Sequence, residues 1–367
     1  MCIRDRYECD SKVAPVSLGT TVSFISKTLL WTRAYELNNI QKESPANTIE
    51  LTNNVSELIP SDINDVIASP ALSMISYGQR GTSTLYQYRY FQNGDQRVVN
   101  TWYKWELAGN LREQFFDQTT FYAVCDDGTN VFIQSYDLTQ SSEQGFLTLP
   151  TGEKTDVCLD MFNVNPRRTY NAANDTTRIF LPYDHIAGKT MRAVLVGGFI
   201  GSPVTSTQSI GLIPDDIVVV TNDGDIDYFD VEGDYRGRNL IIGYLYDMTI
   251  ELPKLYSGQV SGNNFIADSS ADLILHRIKV NTGLSGPVTY NIDITGKDGW
   301  DNVVNVTLPN TYNLNSVNLS ATAQHVVPIF QRNTNCKITI KGNTAFPVSI
   351  TSLAWEGNYN TRFYRRS

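Results

Sequence analysis

The feature that most constrains this chain is period-two alternation in the absence of any sustained 3.6-residue apolar period. Ile274, His276, Ile278 and Val280 fall on one parity, as do Val288, Tyr290, Ile292 and Ile294. Val304, Val306 and Leu308 follow, then Cys336, Ile338 and Ile340, with Lys337, Thr339 and Lys341 on the opposite side. Gly, Pro and Asn punctuate the runs. Short alternating segments between turn residues predict an antiparallel β-sandwich over 271–367. Its last strand carries Val348 and Ile350 on one parity and Leu353 and Trp355 on the other. That switch predicts a β-bulge at Thr351–Ser352, and the Gly357–Asn358 pair is expected to end the strand.

The N-terminal half carries the same signal with more aromatic residues. Phe24–Gln41 reads as strand–turn–strand, because it lacks a helix cap and is rich in Thr, aromatics and Asn. Leu72–Tyr77 is a short apolar run, followed by a turn at Gly78–Gly81. Thr84, Tyr86, Tyr88 and Tyr90 share one strand face, and Leu85, Gln87, Arg89 and Phe91 the other. Asn93–Gly94 is a hairpin signal that returns the chain along Gln96–Leu107. Thr119–Cys125, the Asp127–Gly128 turn and Asn130–Leu138 form the next hairpin. The pattern Gly81-Thr-x-x-x-x-Gln87 recurs as Gly128-Thr-x-x-x-x-Gln134. That spacing falls in the roughly 40–50-residue range of a propeller blade, so 7–150 reads as a propeller-like hairpin region with an incomplete set of blades.

Residues 151–270 are less regular, with strands expected at Thr155–Phe162, Arg178–Leu181, Met191–Phe199, Ile217–Val220 and Asn239–Leu252. An acidic run from Asp215 to Asp234 marks a junction. The expected fold is all-β: a propeller-like antiparallel region, an irregular β-rich middle and a C-terminal sandwich.

Charge and motif content narrow the function. The charged fraction is 18% and the net charge −9. Phosphate binding requires clustered Lys and Arg, which the chain as a whole lacks. Five cysteines, widely spaced and without a C-x-x-C pair, fit neither a disulfide framework nor a zinc site and imply assembly in a reducing compartment. No run approaches the ~18 apolar residues of a membrane-spanning helix. Met1–Arg6 reads as a non-native leader rather than a signal peptide.

The three histidines, His185, His276 and His325, belong to no triad, zincin or kinase pattern. His276 is expected as a hydrogen-bonded core histidine. Gly197-Gly-Phe-Ile-Gly201 lacks the spacing and the lysine of a phosphate loop. Asp223, Asp225 and Asp227 are spaced like a calcium loop, but Tyr228 and Asp234 occupy the positions where an EF-hand needs Gly and Glu. A solvated turn is the preferred reading, and neither a catalytic group nor a cofactor is assigned. The aromatic strands 84–105 could present sugar-stacking faces, although cross-strand packing is favoured. A carbohydrate-binding or depolymerising module acting on a host surface is therefore the alternative function.

The C-terminal run Tyr359, Arg362, Phe363, Tyr364, Arg365 and Arg366 is basic and aromatic on an acidic chain, which marks a contact surface. Trp355, Glu356 and Gly357 are the anchor from which it extends.

Leu275-His-Arg-Ile-Lys-Val-Asn281, Tyr290-Asn-Ile-Asp293 and Pro347-Val-Ser-Ile-Thr-Ser-Leu-Ala-Trp-Glu-Gly-Asn-Tyr359 resemble the end of the tail tubular protein B family, the nozzle proteins of short-tailed bacteriophages. Ile67-Ala-Ser-Pro70, Tyr86–Phe91, Thr101-Trp-Tyr-Lys-Trp105 and Tyr136-Asp-Leu138 are similar to the middle of that family. The resemblance implies a β-rich virion subunit in a sixfold ring below the adaptor ring (tail tubular protein A). Such a ring seats tail fibres and passes viral DNA through its channel without specific binding. It also implies assembly in the host cytoplasm, no enzymatic activity, and subunits longer at the N-terminus than this chain.

Overall fold

The computed structural model describes residues 9–10, 12–38, 47–93, 96–138, 146–149, 153–199, 210–213, 217–221, 226–261, 264–267, 272–296, 302–306, 311–313, 316–319 and 322–360. Among them every regular element is a strand. The chain divides into two compact units, Met1–Ser142 and Glu143–Ser367.

The first unit is built from three consecutive meanders. Strands β1 (Val16–Ser17), β2 (Val22–Lys27), β3 (Thr32–Asn38) and β4 (Asn47–Glu50) pair in chain order. So do β5 (Asp65–Ser69), β6 (Met74–Gly78), β7 (Thr84–Asn93) and β8 (Gln96–Glu106). The third sheet holds β9 (Asn110–Asp117), β10 (Thr120–Asp126) and β11 (Val131–Asp137). Antiparallel neighbours joined by short turns need no crossover. The predicted strand–turn–strand over 24–41 is β2–β3 as far as Asn38; residues 39–41 lie outside the described residues. Asn93 pairs with Gln96, so the connecting residues of that hairpin, 94 and 95, lie outside the described residues.

The second meander is covered on both faces. Ile75, Tyr77 and Tyr88 pack with Ile25, Ala34 and Ile59 toward the first meander. Leu85 packs with Leu111, Phe121, Ala123 and Cys125 toward the third. Both parities of β6 are consequently buried, including the hydrogen-bonded Ser76. Of the aromatic residues in the predicted sugar-stacking strands, Tyr88 is fully buried and Tyr86, Tyr90, Trp102 and Trp105 are partly buried against the two cores, while Phe91 is 64% exposed. Trp102 lies against Tyr77 and Tyr88, with ring centroids 5.3 and 4.9 Å away, and its indole N–H donates to the Leu51 carbonyl at 3.0 Å. Trp105 stacks on Tyr136 at 5.3 Å.

The two sequence-matched hairpins have matching turns, with Gly81 at φ +89° and Gly128 at φ +94°, a region open to glycine at little steric cost. Their glutamines both enter the seam between the second and third meanders. The Gln87 amide donates to Ser76 Oγ (2.8 Å), which donates to Gln114 Oε1 of the third meander (2.7 Å). From the opposite side, Gln134 accepts from the Ala108 N–H at 3.2 Å. The match marks a recurring hairpin whose two copies face one another across one seam.

In the second unit, β12 (Phe146–Thr148) and β13 (Lys154–Asp156) form a hairpin. A six-stranded sheet takes β14 (Asp160–Val164), β17 (Met191–Phe199), β18 (Ile210–Leu212), β20 (Arg238–Tyr244), β27 (Thr311–Asn313) and β28 (Ser316–Asn318) in the order β14-β20-β17-β18-β27-β28. A three-stranded sheet joins β15 (Arg168–Asn171), β16 (Thr176–Phe180) and β19 (Tyr228–Glu232). Leu240, Ile242 and Tyr244 pack with Ile179 and Phe229 in one core, while Ile241 packs with Leu159 and Phe346 in another. Strand β20 is therefore covered on both faces. Three expectations are corrected here. Thr155–Phe162 is two strands, β13 in the hairpin with β12 and β14 at the edge of the six-stranded sheet. Ile217–Val220 is no strand among the described residues; only Val220 makes a bridge, to Tyr228. Asn239–Leu252 is two strands, since the chain leaves the six-stranded sheet after Tyr244 and enters a different sheet as β21 (Met248–Glu251).

The C-terminal region forms two sheets around one core, as expected of a sandwich, and one of them takes in β21, which precedes residue 271. One sheet orders β21, β30 (Cys336–Gly342), β25 (Val288–Ile294) and β26 (Asn302–Val306); the other orders β29 (Ala323–Arg332), β24 (Asp272–Thr282) and β31 (Ile350–Asn360). A separate hairpin joins β22 (Gly258–Ser261) to β23 (Asn264–Ala267). Val288, Tyr290, Ile292, Cys336, Ile338 and Ile340 face the core as read from the sequence. On β24 the buried apolar residues are Leu273, Leu275, Ile278 and Val280. Ile274 and His276 are not among them. Against β31 the register slips between Leu275 and Arg277, so His276 is an extra residue there and the parity changes.

Candidate interaction surface

Strand β31 is eleven residues long and forms one edge of its sheet. It follows β24 from Thr282↔Ile350 to Asp272↔Asn360. Asn281 pairs with Ser352 and Thr282 with Ile350, which leaves Thr351 as the bulged residue, where the parity switch predicted it. Thr351 Oγ1 donates back to the Asn281 carbonyl at 3.0 Å. Beyond the bulge, Leu353 and Trp355 pack against the sandwich core.

The strand does not end at Gly357–Asn358. Gly357 pairs with Leu275, Asn358 with Ile274 and Tyr359 with Leu273. Gly357 lies opposite the His276 bulge, where the two backbones approach so closely that a Cβ would collide with the Ile274 carbonyl. Glycine here permits close backbone contact and continues the strand instead of breaking it.

The outward face of this sheet is an ordered polar ladder. Asn281 donates to Ser352 Oγ at 2.7 Å, and Gln324 donates to Asn281 Oδ1 at 3.0 Å. Glu356 is held by Lys279 and by Arg277, the latter at 2.7 Å. The hydrogen bond from Lys279, reinforced by the Arg277 charge, lowers its carboxyl pKa. Phe330 occupies a left-handed conformation (φ +52°), is 69% exposed and stacks on the His276 ring at 5.8 Å. His276 is thus a surface stacking partner and not the core histidine expected. Of the predicted contact residues, Tyr359 is 40% exposed at the strand end. Arg362, Phe363, Tyr364, Arg365 and Arg366 lie outside the described residues.

The remaining histidines have structural surroundings. His325 is buried with its Nδ1 2.8 Å from the Tyr290 hydroxyl, and burial lowers its pKa. His185 Nδ1 is 3.0 Å from the Tyr244 hydroxyl, which also accepts from the Ile186 N–H. Asp227 is buried, and its carboxylate accepts from the His185 N–H at 2.7 Å, so it fastens a loop. Asp223 and Asp225 lie outside the described residues. Among the described residues no group of three His, Cys, Asp or Glu side chains could hold a metal ion, and no helix is long and apolar enough to cross a membrane.

A second surface was not anticipated from the sequence. Its strand β9 reads Asn-Leu-Arg-Glu-Gln-Phe-Phe-Asp, without alternation, because Arg112 is a bulged extra residue between Leu111 and Glu113. The third meander turns Gln134 and Tyr136 toward the second. Its opposite face shows cross-strand rows Phe115–Tyr122–Ser135, Glu113–Val124–Ile133 and Asn110–Asp126–Val131. Phe115, Ile133 and Val131 are 43, 64 and 65% exposed. Phe115 stacks on Tyr122 at 5.0 Å and 12° between planes. The row Asp117–Thr120–Asp137 closes one end of this face.

No curated protein matches the chain. Solved structures give faint likenesses. An exo-β-1,3-galactanase from Phanerochaete chrysosporium, solved with β-1,3-galactotriose, is 10% identical over 94% of this chain and 95% of its own, with a TM-score of 0.23. The cycloalternan-forming enzyme of Listeria monocytogenes is 12% identical over 83% of this chain and 31% of its own, with a TM-score of 0.13. Likenesses at these scores carry no argument about fold or chemistry. The sequence profile of the bacteriophage nozzle proteins, in contrast, matches residues 3–366. With that match spanning nearly the whole of an all-β chain, the protein belongs to the bacteriophage nozzle protein family and is a structural component of a phage tail.

Proposed function

We propose that this protein is a wall subunit of the tail tube: a sixfold ring below the adaptor that guides DNA during ejection, seats the tail fibres and performs no catalysis. The family match over residues 3–366 carries this reading. The physical character of the chain supports it. Covalently continuous meanders with doubly buried strands make stiff layers, as a load-carrying wall requires. A net charge of −9 disfavours phosphate clamping, so a DNA duplex could move past without being arrested. A ring of identical subunits uses a heterologous interface that closes by rotation. The edge strand β31 and the basic-aromatic residues beyond it supply a surface for a neighbouring ring or subunit, and assembly is expected in the host cytoplasm.

The test is electron microscopy of the purified protein with and without the adaptor. Sixfold rings that stack on the adaptor are expected, whereas a monomer that never engages the adaptor would refute the proposal. The carbohydrate alternative is not favoured: of the aromatic strands 84–105 that suggested it, Trp102 and Trp105 are partly buried against the two cores of the first unit, although Phe91 is 64% exposed.

A further inference from the structure

The open face of the third meander is a sheet surface with exposed apolar residues among charged ones. Phe115, Tyr122, Val124 and Ile133 form its centre, with Glu113 in the same central row paired to Arg80, and Val131 beside Asp126, which Arg112 holds, at one end. Asp117 and Asp137 stand together at one end. Apolar centres with a charged rim are the anatomy of protein interfaces, and exposed contiguous apolar faces mark partner sites. The chain carries one segment of complementary chemistry. Residues 361–367 read Thr-Arg-Phe-Tyr-Arg-Arg-Ser, two adjacent aromatics flanked by three arginines. They leave the exposed end of β31 at Asn360.

We propose that the third-meander face binds the Arg362–Arg366 segment of a second copy of this chain, with Phe363 and Tyr364 on the Phe115–Ile133 surface and the arginines against Asp117 and Asp137. Arg and aromatic side chains are the usual anchors of interfaces, and a rim of opposite charge sets orientation. Contact between the face of one subunit and the tail of the next is head-to-tail, as a closing ring requires. The second-copy source rests on the ring reading above; the complementarity of face and tail does not.

A labelled peptide of residues 360–367 is titrated into the chain truncated after Asn360, and into the same truncated chain carrying Ile133→Asp or Val131→Lys. The expected result is saturable binding that weakens with added salt and falls at least tenfold in either variant, about 1.4 kcal/mol. Equal binding to all three proteins, or none to the unsubstituted one, overturns the proposal. Full-length Phe363→Ala/Tyr364→Ala and full-length Ile133→Asp are then mixed and followed by light scattering. Association only in the mixture supports contact between copies; no association overturns the second-copy source. Sixfold rings that persist in Phe363→Ala/Tyr364→Ala overturn the tail contact while the ring reading stands. A wild-type chain that binds the peptide yet stays monomeric overturns the ring reading.

Discussion

Gly357 shows how a single residue fixes the end of the molecule. Its α-carbon faces the Ile274 carbonyl and the Leu275 backbone, neither of which can move without shifting the His276 bulge. Gly357→Ala is expected to destabilise the sandwich by at least about 2 kcal/mol, in the range of overpacked backbone contacts. Comparing denaturant midpoints of the two proteins checks this; an unchanged midpoint would show that β31 leaves β24 before this point. His325 gives a pH prediction. Burial lowers its pKa from the ordinary 6.5, so the unfolded chain takes up the proton at a higher pH than the fold does. Its contribution is fully present above about pH 6.5 and is lost as pH falls through the lowered folded value. The thermal midpoint is therefore expected to drop between pH 7 and pH 5, with a shallower drop in His325→Gln. Calorimetry across that range decides it. Tyr290→Phe, which removes the partner of the same ring, is expected to cost about 1–2 kcal/mol.

At the scale of elements, β31 carries the clearest prediction. Cutting after Asn360 leaves β31 whole, while cutting after Trp355 removes the pairs of Glu356 through Asn360 and the ion pairs to Arg277 and Lys279. The first truncation is expected to unfold at the wild-type midpoint, and the second clearly below it. The sandwich and the Thr351 bulge were legible in the sequence because the parity of β25, β30 and the start of β31 admits one solution. Strand β24 was not, since Leu273, Ile274, Leu275, Ile278 and Val280 satisfy two parities and the bulge at His276 decides between them. Strand β9 was invisible for a related reason: its two fully buried residues, Leu111 and Gln114, are three apart. With β9 unread, the face made by Phe115, Val131 and Ile133 had no third strand to complete it. The contact role proposed for the C-terminal arginines and aromatics rests on composition, since residues 361–367 lie outside the described residues.

For the whole molecule, the two units have separate cores: the first unit packs around Tyr77 and Phe121, the second around Phe229, Ile241 and Ile278. Each is large enough to fold by itself. Residues 1–142 and 143–367, produced separately, are each expected to unfold cooperatively, and a piece lacking a transition would show that its core is completed by the other. Membership of the nozzle family gives the protein its place in a phage tail; the proposed ring gives it its mechanical task. Electron cryomicroscopy of the virion that carries this protein tests that task most directly. The account predicts six copies around the tail axis immediately below the adaptor, with all-β density fitting both units and an open channel through the centre. Density for this chain outside the tube wall, or in a number other than six, would contradict it.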